Sequence, residues 1–106
     1  MYTENNIVVA NDLGGGVKRK VLSYSKNIMS VELHFEKDAI GALHSHPHEQ
    51  IGYIISGSLL YKEKGQEDKV LKTGDTYYVA PNVEHGIVAL EETMLLDIFT
   101  PMRSDF

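Results

Sequence analysis

At 106 residues the chain has room for one domain, and a hydrophobic content of 42% is enough for a packed core. A formal charge of −5 argues against nucleic acid, whose recognition needs clustered Lys and Arg, and the one basic run, Lys18-Arg19-Lys20, reads as a solvated strand edge. The absence of cysteine excludes disulfides, thiolate metal sites and cysteine nucleophiles together, and fits a reducing compartment.

The opening segment, MYTENNIVVANDLGGG, has no basic stretch followed by an apolar one, so no signal peptide is read there. No apolar run approaches the ~18 residues of a spanning helix, so a cytoplasmic protein without a membrane partner is expected. Residues 1–16 are expected to form an N-terminal arm ending in the flexible Gly14-Gly15-Gly16, and residues 17–106 a single domain. From Val17 onward, short runs rich in Val, Ile, Leu, Tyr and Phe predict strands at Val17–Ser23, Ile28–Phe35, Gln50–Ile55, Ser58–Glu63, Thr76–Ala80, Gly86–Ala89 and Met94–Thr100. Turn residues separate them. Gly57 and Gly74 suit tight hairpins, and Asn82 after Pro81 suits a left-handed turn position. Many short strands at near-regular spacing predict an all-β sandwich or barrel.

The chemistry begins at His44-Ser45-His46. On a strand, alternate residues share a face, so these two imidazoles would project side by side and could bind one metal at about 2.0–2.1 Å. Pro47 turns the chain and brings Glu49 or Gln50 back toward the same cavity, with Glu49 expected to face outward. His85, after the Pro-Asn turn, supplies a third imidazole, whereas His34 and His48 read as ordinary surface histidines. Three imidazoles and one oxygen suit one divalent transition metal: zinc, nickel, iron(II) or manganese.

Near the end, alternation puts Leu95, Asp97 and Phe99 on one face and Leu96 and Ile98 on the other, so the strand is buried and Asp97 needs partners. A buried carboxyl with a raised pKa makes a good acid–base group. Beyond Pro101, Arg103 lies in a segment free to fold over a barrel mouth, and its planar fork suits a substrate carboxylate. From spacing alone the plainer alternatives stay open: a structural Asp97 and a solvated Arg103.

These segments resemble a known family. Gly41-x2-His44-x-His46-x3-Gln50-x6-Gly57 is similar to the first cupin motif, with a shorter glycine-to-histidine spacing and Gln50 where a glutamate is usual. Gly74-Asp75 through His85 resembles the second motif, with Ala80, Asn82 and Ala89 replacing its usual proline, glycine and asparagine. The resemblance implies an antiparallel jelly-roll β-barrel with the metal inside, and often a homodimer. A neutral Gln50 would leave the site a full charge more positive than glutamate, favouring anionic substrates and Lewis-acid chemistry. Residues 44–53 and 97–106 resemble the pectin-degradation cupins of the KdgF type. That likeness implies metal ligation by His44, His46, His85 and Gln50, and an active site lined by Asp97, Phe99 and Arg103. It further implies the conversion of cyclic 4,5-unsaturated uronates, small anionic sugar acids, to linear keto acids. An iron-dependent dioxygenase and a non-catalytic small-acid-binding module are the competing readings.

Overall fold

The computed structural model describes all 106 residues, Met1–Phe106. The chain is all-β apart from a short 3-10 turn at Asn5–Ile7. Its strands are β1 (Asn11–Gly14), β2 (Val17–Tyr24), β3 (Met29–Phe35), β4 (Ile40–His44), β5 (Glu49–Ser56), β6 (Ser58–Glu63), β7 (Lys69–Lys72), β8 (Thr76–Val79), β9 (His85–Ala89) and β10 (Thr93–Thr100). They pair antiparallel in two sheets, ordered β1-β2-β3-β10-β5-β8 and β4-β9-β6-β7. This is a double-sheet jelly roll, with the ladders divided between two facing sheets rather than closed into one.

All seven predicted strands are present, with ends differing by a residue at most. Three further strands lie outside those seven runs: β1 within the expected N-terminal arm, β4, which ends at the first histidine of the expected His-x-His strand, and β7. Gly57 and Gly74 both take positive φ (93° and 89°), but neither closes a hairpin. β5 and β6 belong to different sheets, as do β7 and β8, so each glycine marks a corner where the chain changes sheet. A side chain at Gly57 would run into the Glu92 carbonyl and Thr93, so glycine is required there for space as well as conformation. Asn82 adopts φ 66°, as the Pro-Asn turn predicts.

The larger core lies between the sheets and includes Phe35, Ile54, Leu59, Val79, Ile87 and Leu95. A smaller cluster of Met29, Val31 and Phe99 lies under the C-terminal segment, with Met102 and Phe106 packed against it. Strand alternation decides which residues face this interior. On β5, Gln50, Gly52 and Ile54 are buried while Ile51, Tyr53 and Ile55 are exposed. On β10, Leu95, Asp97 and Phe99 point in. Register then aligns rows across the large sheet. One row runs Tyr77–Gly52–Asp97–Val31, and the next runs Val79–Gln50–Phe99–Met29.

Candidate metal centre and active site

Each imidazole reaches the site by a different route: His46 and His85 are buried and His44 stands at the exposed side. His44 ends β4 and is the cross-strand partner of His85, which begins β9, and their ring centroids lie 4.5 Å apart. His46 is not on the strand as predicted. β4 stops at His44, and His46 hangs from the following loop, yet its ring still comes within 5.4 Å of His44 and 4.9 Å of His85. One ring nitrogen from each of the three lies within 4.8 Å of the others, a group that could hold a metal ion.

Gln50 faces this group and Glu49 does not. The Gln50 Oε1 lies 2.9 Å from His46 Nε2 and 3.2 Å from His85 Nε2. Glu49 is exposed and accepts a hydrogen bond from the Tyr78 hydroxyl at 2.5 Å. His44 Nδ1 lies 2.8 Å from the Ala42 carbonyl and His85 Nδ1 lies 2.9 Å from that of Val83. Those contacts require the proton on Nδ1, so each neutral ring presents a bare lone pair at Nε2. In His85 that lone pair faces another acceptor, the Gln50 carbonyl oxygen. Two acceptors set face to face are an arrangement that a cation between them would satisfy. His46 adds an Nδ1 that is buried without a partner. The donor set therefore fits a divalent transition metal. Burial, with the Arg103 charge nearby, lowers the His46 pKa to about 4, and burial also lowers that of His85. The neutral form, which binds metal, is the form present at neutral pH.

Asp97 lies beside this group. It is 3% exposed, and burial pushes its pKa up to about 6 against the pull of hydrogen bonds from Tyr77 and Gln50 and of the neighbouring His44 and Arg103. Its hydrogen-bond partner is a tyrosine. The Tyr77 hydroxyl donates to Asp97 Oδ1 at 2.7 Å. Tyr77 is on β8 and Asp97 on β10, with β5 between them, and the reach is possible because Gly52 occupies the intervening position. A Cβ there would occupy the place of the Tyr77 ring. Neither Tyr77 nor Gly52 is singled out by the sequence, because their roles appear only once register is fixed.

The C-terminal segment folds inward. Arg103 is 7% exposed, and its Nε and Nη2 donate to Asp105 at 3.0 and 2.8 Å. That pair draws the Asp105 carboxyl down to about 2. The guanidinium also lies over Phe99 at 5.1 Å and Phe106 at 4.4 Å. His48, expected at the surface, is half-buried and bonds the Met102 carbonyl through Nε2 at 3.2 Å, which pins this segment. His34 bonds Glu32 and takes no part. His44, His85, Gln50, Asp97, Phe99 and Arg103 line one cavity of about 310 Å³, and Arg19 lines it too. Arg19 thus departs from the expectation of a solvated edge: β2 is flanked by β1 and β3, and the side chain turns inward.

Comparison with known proteins agrees with this architecture. A cupin-domain family profile matches residues 31–99. The pectin degradation protein KdgF of Dickeya dadantii is 46% identical over 97 residues, covering 90% of this chain and 87% of that protein. Among solved structures, KdgF from Halomonas sp. superposes with a TM-score of 0.93 at 32% identity, over 99% of this chain and 96% of that one. An RmlC-like cupin from Shewanella frigidimarina gives a TM-score of 0.94 at 36% identity, over 99% and 94% of the two chains. With both the fold and the paired histidine motifs accounted for, this chain belongs to the cupin family, and within it to the cupins of the KdgF type.

Proposed function

We propose that this cupin is a metal-dependent isomerase that converts cyclic 4,5-unsaturated uronates, released in pectin or alginate breakdown, to linear keto acids. The observation that carries the reading is the placement of Asp97: a buried carboxyl of raised pKa, held by Tyr77, in one cavity with the His44 and His85 imidazoles and the Arg103 guanidinium. The similarity to a pectin degradation protein of Dickeya dadantii also supports it.

His44, His46, His85 and Gln50 would hold the metal, which when bound supplies Lewis-acid polarisation of substrate oxygens. The chain's own groups do the rest. The reaction breaks the bond between C1 and the ring oxygen, and the proton lost from the anomeric hydroxyl is matched by one added at C4. It is therefore an isomerisation and needs no co-reactant. Asp97, with a pKa of about 6, can both take and return that proton near neutral pH. Tyr77 donates to Asp97 Oδ1 and fixes which oxygen faces the substrate. Asp105 occupies one side of the Arg103 fork, leaving the end formed by the two terminal nitrogens for the C6 carboxylate. Phe99 stands edge-on to His46 at 5.7 Å and walls the site against water. A volume of about 310 Å³ suits a single sugar acid rather than a polymer. The homodimeric state that the family resemblance implies and the cytoplasmic location expected from the sequence belong to the same proposal.

Metal-loaded protein should accelerate the loss of ultraviolet absorbance from unsaturated galacturonate, without consuming oxygen. No acceleration with any of the four metals would refute the reaction. Oxygen uptake would point to a dioxygenase, and sugar-acid binding without turnover to a non-catalytic module.

A further inference from the structure

The charges around the cavity are not balanced, and the imbalance lies at Arg19. Its neighbours on the same face of β2, Val17 and Val21, pack against the two cores, and its cross-strand partner Leu33 packs against both. Arg19 thus extends the row Leu33–Leu95–Ile54, where an aliphatic side chain would be expected. Its guanidinium carbon lies 4.1 Å from the centre of the Phe106 ring, which also receives Arg103 at 4.4 Å. The two arginines differ in what neutralises them. Arg103 is held by Asp105 through two hydrogen bonds. Arg19 forms no ion pair, and its Nε is buried without a partner. Asp97 is the single acidic side chain lining the cavity, and it is engaged by Tyr77. Stacking on Phe106 offsets part of the cost of desolvating a guanidinium, but it leaves the N–H donors unused.

We propose that Arg19 is a substrate-binding residue, which receives the sugar-acid carboxylate together with the open end of Arg103 and makes the cavity selective for uronates. The inference rests on the sugar-acid reading given above. It gives Phe106 a defined task as the shared platform that keeps both guanidiniums facing one small volume. It also gives the β1–β2 hairpin a place at the site, since Leu13 and Gly14 line the same cavity beside Arg19.

The test uses saturated galacturonate, which lacks the double bond and so reports binding alone. Isothermal titration of the full-length, metal-loaded protein should show Arg19→Gln binding it about 10- to 100-fold more weakly than the unsubstituted protein, as expected for loss of a charged hydrogen-bond donor. Metal content and melting temperature should be unchanged, and Arg19→Lys should fall between the two. Wild-type affinity in Arg19→Gln would overturn the inference and leave the proposed reaction standing. Equal weakening in Arg19→Lys and Arg19→Gln with a lowered melting temperature would overturn it too, by assigning Arg19 a packing role only. Failure of the unsubstituted protein to bind galacturonate would overturn the sugar-acid reading, and this inference with it.

Discussion

Burial raises the Asp97 carboxyl from 3.8 to about 6 because ionising it between Leu95 and Phe99 would strand a charge away from water. The consequence for stability has a definite sign. Between those two values the unfolded chain has released its proton and the folded chain has not. Folding stability therefore falls as pH rises from about 4 to about 6, by about 3 kcal/mol in the metal-free protein. Asparagine keeps an oxygen for the Tyr77 hydroxyl and never ionises. Metal-free Asp97→Asn should therefore melt above the wild type at pH 8 and no higher than it at pH 4, as read by scanning calorimetry. An equal difference at both pH values would remove the carboxyl charge as its cause. The metal-loaded variant should retain its metal and lose turnover, so that the group that costs stability is the group the chemistry needs.

At the scale of strands, the site depends on a gap in β5. Gly52 pairs with Tyr77 on one side and Asp97 on the other, and the phenol ring crosses the strand where a side chain would otherwise stand. That ring is buried and stacked on Tyr61 at 4.9 Å, so it has little room to yield. Gly52→Ala should destabilise the fold by about 1–3 kcal/mol in urea titration, the usual cost of overpacking. It should also abolish turnover while the metal stoichiometry holds. Full activity would mean that the bond from Tyr77 to Asp97 is dispensable. The same dependence on register explains what the sequence disclosed. Its β-rich runs mark most of the strands, and alternation sets Asp97 and Phe99 on one face without saying which face is the cavity's. The three strands outside those runs, β1, β4 and β7, are all sheet edges whose residues are almost wholly exposed or half-exposed, so they carry little apolar signal. Local turn chemistry at Gly57 and Gly74 is equally silent on whether the next strand pairs with the last one or crosses to the other sheet. Tyr77, Gly52 and Arg19 share that limit, since each acts through neighbours distant in the chain.

For the molecule as a whole, the candidate ligands bridge its two layers. His44 and His85 belong to the four-stranded sheet, Gln50 to the six-stranded sheet, and His46 to the loop joining them. The hydrogen-bond ladders do not pass between the sheets, so at this end an ion held by all four would tie together layers otherwise joined by side-chain packing and chain connections. Because the unfolded chain scatters those ligands, binding favours the folded state by RT ln(1 + [metal]/Kd), about 2.7 kcal/mol at a hundredfold excess over Kd. In a domain of this size that corresponds to a rise in melting temperature on the order of 10 °C. Dialysis against a chelator should remove the increment, and zinc, nickel, iron(II) or manganese should restore it in a concentration-dependent way. In His85→Ala the increment should shrink sharply, because the lone pair facing Gln50 is gone. In Asp97→Asn it should persist, because that carboxyl is assigned to the proton rather than to the ion. A melting temperature indifferent to all four metals would sink the metal centre. An increment lost equally in both variants would mean instead that Asp97 is a ligand, and its role in proton transfer would have to be abandoned.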